Sequence, residues 1–330
     1  MKLAYLSVHL LCLVSCQAAP CGVFICNVNV AALAQSRFES NLLDPRTCQT
    51  VILEYATSEN NELRHHRAVT QFYPMIRDSR RQFNNFKALI EVKTDVISNG
   101  ENFNTMFLIQ ETRSIFIQSC IDYLRYYELD GISVKHTSFP QWFFKNYFLK
   151  LLQEMNDAFV KESETTGRPK FLLYIVLSTK KYIIENFYDI PTMFRLADIV
   201  KLDTHFFSYS LTETWLHRHH SRIYGNNTYD ELNIDYIVTY FLSRGALKSK
   251  LTISIAFFGY LFVKMPLVSD YRKRYARYYV VESFTEVQRG RGKPDKDELF
   301  LIYKGLKTIV GEPKSVSRLH KSSELLVEVH

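Results

Sequence analysis

Ser133, Lys135 and Thr137 are the side chains whose spacing first suggests a chemical site in this sequence. They follow Asp130, within and directly after an apolar run, residues 131–136, that is typical of a buried strand. Because successive strand residues point to opposite faces, the three side chains would share one face, toward the interior of the fold. That face would carry a hydroxyl, an ammonium and a hydroxyl. A threonine hydroxyl is not an acid at neutral pH, so we expect no general acid catalysis by Thr137.

The elements that must position these residues are seven short apolar runs, which alternate with helical patterns. The runs lack clean polar alternation, as in a parallel sheet covered on both faces. This order predicts an α/β fold, and seven units over roughly 240 residues favour a (β/α)8 TIM barrel over a doubly wound sheet. The predicted strands are residues 23–30, 50–56, 87–92, 131–136, 170–177, 198–206 and 250–258.

Two helices have clear apolar faces in the sequence. Pro140 would open the first, which has an apolar face of Phe144, Phe148, Leu151, Leu152, Met155 and Phe159. Gly245 would end the second, which has a face of Ile234, Ile237, Val238, Phe241 and Leu242. Residues 297–310 could form a last helix, but no apolar strand follows them. We therefore expect a degenerate barrel in which the eighth unit is reduced or missing.

Composition sets the class of the chain. Its 330 residues are 47% hydrophobic and 23% charged, which indicates a folded globular protein. The net charge of +7 is too weak and too scattered to indicate a nucleic-acid partner. Residues 1–19 predict a secretory signal, so the product would be extracellular, and no later segment resembles a transmembrane helix. The predicted divisions are signal 1–19, barrel 20–312 and polar tail 313–330.

Four cysteines remain after the predicted signal, and an oxidising secretory route favours a disulfide. Cys26 and Cys48 flank a loop and are the favoured pair. Cys120 lies on an apolar helical face, where a buried free thiol is expected, and Cys21 has no clear partner. The sequon at Asn226 predicts a glycosylation site.

Several blocks, in the right order, resemble glycoside hydrolase family 18, the chitinases and chitinase-like lectins. The resemblance covers roughly residues 23–262. It implies the (β/α)8 barrel, and it matches residues 24–26 and 43–52 to the family's opening strand and first disulfide. The other blocks are residues 116–134, 188–191, 197–200, 232–250 and 255–260.

The family signature DxxDxDxE supplies a glutamate as general acid and an aspartate that orients the N-acetyl group of the substrate. Aligned on Asp130, the two aspartate positions hold Ser133 and Lys135, and the glutamate position holds Thr137. The resemblance therefore implies a catalytically inactive chitinase-like protein. The partner would be a chitin-type or other N-acetylglucosamine glycan, bound as by a lectin, or an extracellular protein for which the barrel is a scaffold. A hydrolase with a rebuilt site is a third alternative.

Other family elements have changed as well. The motif MTYD on the sixth strand here spans residues 202–205, so Thr204 and His205 are candidate ligand-binding residues. Tyr260 belongs to the turn after the seventh strand, and Trp215 lies on the rim where barrels bind ligands. Trp142 begins a helix and is expected to pack. The platform tryptophan of the last strand has no counterpart, and the inserted α+β domain is expected to be reduced or missing.

Glu54 and Glu91 match inward-facing positions of the family. They could form a new carboxylate pair, but an inward Lys135 needs a counter-charge because an unpaired buried ammonium is costly. We therefore expect an ion pair of Lys135 with Glu91 or Glu54. Residues 217–220 (His-Arg-His-His) could ligate metal, but no carboxylate or cysteine completes a site, so we expect a solvated loop, no metal and no cofactor.

Overall fold

The computed structural model describes residues 25–30, 45–46, 48–94, 103–136, 144–204, 207, 221–225, 230–254, 260–264, 278–283 and 298–299. Seven parallel strands, each next to the one before it in the order β1-β2-β4-β5-β6-β7-β8, form the main sheet of this part of the chain. They are β1 (Ile25–Asn29), β2 (Thr50–Glu59), β4 (Lys87–Lys93), β5 (Gly131–His136), β6 (Leu172–Leu177), β7 (Ile199–Leu202) and β8 (Leu251–Ile253).

From β2 onward, helices connect these strands along the chain, and strand followed by helix is the repeating unit of an α/β barrel. The helices are α1 (Tyr73–Gln82), α2 (Phe103–Leu108), α3 (Gln110–Tyr126), α4 (Phe144–Thr166), α5 (Lys181–Phe187), α6 (Ile190–Leu196) and α7 (Ile234–Ser243), with short 3-10 turns at Arg67–Phe72 and Lys248–Lys250. The predicted α/β barrel fold is confirmed, and each of the seven predicted strands is present. No eighth parallel strand occurs among the described residues.

The two faces of the sheet bury different residues. The outward face belongs to a large apolar core shared with the helices, in which Val134 and Ile175 pack with Phe148 and Leu152 of α4. The inward face begins with a separate apolar cluster at the amino-terminal half of the strands. Ile52, Leu89 and Tyr174 form this cluster, with Ile25, Leu172 and Ile199 packed against it. These six residues are called the apolar base of the barrel interior below.

The sequence explains the buried face of α4 and both ends of α7. In α4, five of the predicted face residues are fully buried, namely Phe148, Leu151, Leu152, Met155 and Phe159. The side chain of Asn233 caps α7 by accepting a hydrogen bond from the Tyr236 amide, and Gly245 follows the helix at a φ of +94°. Pro140 lies outside the described residues.

Two features of the fold were not predicted, and one predicted helix is wrong at its start. Strand β3 (Glu62–His65) pairs antiparallel with β2 through a tight turn in which Asn60 and Asn61 both have positive φ. A three-stranded antiparallel sheet of β9 (Tyr260–Lys264), β10 (Tyr278–Ser283) and β11 (Glu298–Leu299) follows β8 in the chain. Because β11 is a strand, the helix expected over residues 297–310 is wrong at its start.

A disulfide joins Cys26 on β1 to Cys48 just before β2, across a Cα–Cα distance of 5.5 Å. Cys120 on α3 is a buried free thiol, and burial raises its pKa. The predicted signal, Cys21, the sequon at Asn226 and the tail 313–330 lie outside the described residues. No described helix is both long and apolar enough to cross a membrane.

Candidate functional site

The candidate site is a polar layer inside the barrel, directly above the apolar base. Glu54 and Glu91 lie two residues beyond Ile52 and Leu89 on their strands, so they face the same interior. Strand register places Glu54 opposite Glu91, and Glu91 opposite Ser133 of β5. The strand periodicity that builds the apolar base therefore also delivers polar groups to the layer above it.

Two lysines bring opposite charge into this layer. Lys135 of β5 and Lys201 of β7 are both in register with Val176 of the strand between them. Lys135 Nζ lies 3.1 Å from Asp203 Oδ2, and Lys201 Nζ lies 3.5 Å from Glu91 Oε2. The two salt bridges cross the barrel interior, one from β5 to the residue after β7 and one from β7 to β4.

The predicted partners of Lys135 are Glu91 and Glu54. The structure gives it a salt bridge with Asp203, while both glutamates also act on it electrostatically. Register explains the difference, because Ser133 is opposite Glu91 while Lys135 is opposite Lys93, one level nearer the carboxyl end of the sheet. At that level the chain leaving β7 presents Asp203. Burial acts to lower the pKa of Lys135, but Asp203, then Glu91 and Glu54, outweigh it, so the pKa is raised.

Glu91 is the most enclosed charged residue of the described part of the chain, with none of its surface exposed. Its Oε2 atom accepts a hydrogen bond from Ser133 Oγ at 3.0 Å, and within the described part of the chain its Oε1 atom has no hydrogen-bond partner. Burial is the main cause that raises the pKa of Glu91. Lys201 opposes this rise and Glu54 adds to it.

Asp130, the first residue of the aligned signature, lies at the opposite end of the barrel. Its carboxylate makes salt bridges with Arg80 at 2.5 Å and Lys87 at 3.3 Å, and it accepts the Ala88 amide. These contacts fasten α1 and β4 to the start of β5. Asp130 therefore holds the fold together at the amino-terminal face and lies away from the polar layer.

Thr204 is buried completely, and its hydroxyl donates to the Ser254 carbonyl oxygen at 2.6 Å. This contact joins the chain after β7 to the chain after β8, so the geometry gives Thr204 a structural position. Tyr260 begins β9 of the antiparallel sheet. The other candidates, namely Thr137, His205, Trp215, Trp142 and residues 217–220, lie outside the described residues.

Lys201 and Asp203 are site residues that the sequence analysis missed. The sequence contains a pattern that indicates them, because these two charged residues lie two positions apart in an otherwise apolar strand. Residues at that spacing share one face of a strand, and charged residues on a buried face are expected to be paired.

The described site contains buried charges that pair with one another, but strand β5 itself has no aspartate or glutamate. Both charged ends of the Lys135–Asp203 pair have only 8% of their side-chain surface exposed. No cluster of three or more histidine, cysteine or acidic residues suitable for a metal ion occurs in the described part.

Comparisons with known proteins agree with this architecture. The family model for glycosyl hydrolases family 18 matches residues 29–318. Human chitinase-3-like protein 2 is 24% identical over 233 residues, covering 68% of this chain and 59% of that protein. The oviduct-specific glycoprotein of Sus scrofa is 27% identical over 239 residues, covering 67% of this chain and 42% of that protein. The chain thus spans about half the length of these curated relatives.

Solved structures show the same fold at low sequence identity. Human YKL-39, a pseudo-chitinase with retained chitooligosaccharide binding properties, superposes with a TM-score of 0.67 at 22% identity, over 78% of this chain and 71% of that chain. The immunomodulatory active chitinase TsES1 from Trichuris suis superposes with a TM-score of 0.67 at 18% identity, over 77% of this chain and 70% of that chain.

Proposed function

Since this chain belongs to family 18 of the glycosyl hydrolases, we propose that it is a secreted, catalytically inactive chitinase-like protein that binds glycans. The ligand class is chitin-type or other N-acetylglucosamine glycans, held at the carboxyl-terminal end of the barrel. A relative supports this class, because YKL-39 is a pseudo-chitinase that has retained chitooligosaccharide binding properties. The predicted signal at residues 1–19 supports secretion.

The observation that carries the proposed inactivity is the salt bridge of Lys135 with Asp203. Lys135 takes the place of an aspartate in the aligned signature, and its ammonium is buried beside a carboxylate. The family mechanism needs negative charge near a developing oxazolinium cation, so a fixed ammonium there opposes the reaction. With Ser133 and Thr137 at the other two positions, the strand offers no carboxyl group to protonate a leaving oxygen.

A second candidate function is that of a signalling or host-interaction protein whose barrel binds a protein partner. The polar layer favours this alternative, because the charges of Lys135 and Asp203 neutralise each other inside the barrel. An interior neutralised in this way offers few polar groups to a sugar. A partner would then bind the outer surface or the loops.

Hydrolysis of a fluorogenic chitobioside tests the proposed inactivity. We expect the rate with the purified chain to equal that of buffer, while a working chitinase assayed in parallel gives strong signal. Substrate turnover that Thr137→Ala abolishes would show that the site is active and would overturn this part of the proposal.

Chitin pull-down and a glycan array test the binding function. We expect saturable binding that soluble chito-oligosaccharide competes, and we expect Trp215→Ala to weaken it by tenfold or more, since ring stacking on a sugar is lost. Tyr126→Ala is the matched control, because Tyr126 is 79% exposed on the outer helix α3. No glycan binding at all would favour the scaffold function.

A further inference from the structure

Glu54 and Glu91 form a carboxyl pair inside the barrel. They are register partners on the adjacent parallel strands β2 and β4 and point to the same interior. A single amide nitrogen, Asn27 Nδ2 of β1, lies 2.5 Å from Glu54 Oε1 and 3.4 Å from Glu91 Oε2. Two carboxylates that share one donor on neighbouring strands repel each other, and this repulsion favours a proton on one of them.

The donors near Glu91 leave its charge poorly compensated. A strong charge-assisted N–H···O hydrogen bond spans about 2.7–2.9 Å, whereas Lys201 Nζ is 3.5 Å from Glu91 Oε2. Lys135 forms a salt bridge with Asp203, and its effect of lowering the pKa of Glu91 is smaller than the effect of burial, which raises it. The second oxygen of Glu91, Oε1, is buried without a hydrogen-bond partner among the residues that the structure describes, and an ionised oxygen in that position costs more than a neutral one.

We propose that Glu91 holds a proton at neutral pH beside the carboxyl group of Glu54, and that release of this proton at higher pH makes the barrel interior a pH-sensitive element of the fold. We place the proton on Glu91 because Glu91 is fully buried, whereas Glu54 is half-buried. Among the described residues, the groups that contact the pair or share its inward face are Asn27 from β1, Ser133 and Lys135 from β5, Tyr174 from β6, Lys201 from β7, Asp203 directly after β7, and Lys93 on the same strand as Glu91.

Burial and Glu54 both raise the pKa of Glu91, which agrees with this assignment. The sign of the stability effect follows from it. Between the ordinary glutamate pKa of about 4.3 and the raised folded-state pKa, the folded chain binds one proton more than the unfolded chain. Stability is therefore lost as pH rises through this window, and the unfolding constant grows by up to tenfold per pH unit from this residue.

Infrared spectroscopy of the intact chain tests the proposal directly. We expect a protonated-carboxyl C=O stretching band at pH 7 that shifts when glutamate carboxyls are labelled with ¹³C. Glu91→Gln should abolish the band. Glu54→Gln should keep the chain folded and weaken proton binding by Glu91 at least tenfold, so that the band titrates at lower pH.

Glu59→Gln is the matched control, because Glu59 is an exposed glutamate at the end of the same strand as Glu54 and should leave the band unchanged. If Glu91→Gln does not fold, the titration of the labelled wild-type chain and of Glu54→Gln still decides the matter. Absence of the band from the wild type at pH 7, or a band that Glu54→Gln leaves unmoved, would overturn the proposal.

Discussion

Removal of the ammonium of Lys135 should destabilise the barrel far more than removal of a surface charge. Lys135→Met keeps an unbranched stem of similar length and leaves Asp203 buried beside an apolar group. Both charged side chains are only 8% exposed, so solvent screens the pair weakly. Breaking a buried pair by removing one partner costs about 3–5 kcal/mol, and we expect a loss of unfolding free energy in this range.

The measurement is urea unfolding at pH 7, followed by far-ultraviolet circular dichroism, with midpoints compared at a shared slope. Arg81→Ala is the control, since Arg81 and Asp78 form a salt bridge with side chains 78% and 63% exposed, which should cost at most about 1 kcal/mol. The double variant Lys135→Met with Asp203→Leu should recover most of the loss, because an apolar replacement of both partners is often nearly neutral. A Lys135→Met chain as stable as Arg81→Ala would refute the reasoning.

Two further predictions concern the covalent and steric constraints of the barrel. Cys48→Ser should lower the unfolding free energy by about 3 kcal/mol, as expected for a disulfide that closes a loop of 22 residues, and reductant should not lower it further. Gly131→Ala should cost about 3 kcal/mol or more, because the added Cβ would lie 2.2 Å from the Leu172 carbonyl oxygen. Gly167→Ala has no atom within 4 Å of the new Cβ, and its φ of +67° should cost only about 1 kcal/mol. Equal losses for the two glycine variants in urea unfolding would contradict the steric argument.

The strands could be predicted because each is a short apolar run, and the central strands β4, β5 and β6 are buried on both sides. The second strand of the hairpin could not be predicted in this way, because β3 is polar and only Leu63 of its four residues is buried. The Asn60-Asn61 pair was a usable signal for the turn, since asparagine tolerates positive φ better than most residues.

In the polar layer, the pattern of each strand predicts which side chains are buried but not which of them pair. Strand alternation placed Lys135 and Glu91 inside the barrel, and both are buried there. It could not select Asp203 as the partner of Lys135, because β5 and β7 are separated by β6 and meet only through the curvature of the sheet. Contacts between strands that are not neighbours depend on the level of each side chain along the barrel, which one strand alone does not define.

The buried thiol of Cys120 can report transient opening of the core that surrounds it. Cys120 has no exposed surface, and its thiolate form is disfavoured, so a labelling reagent must wait for the surrounding core to part. When reclosing is faster than labelling, the labelling rate reports the equilibrium population of open molecules. The labelling rate of Cys120 on α3 can therefore measure how often the core around this helix opens, without an added probe.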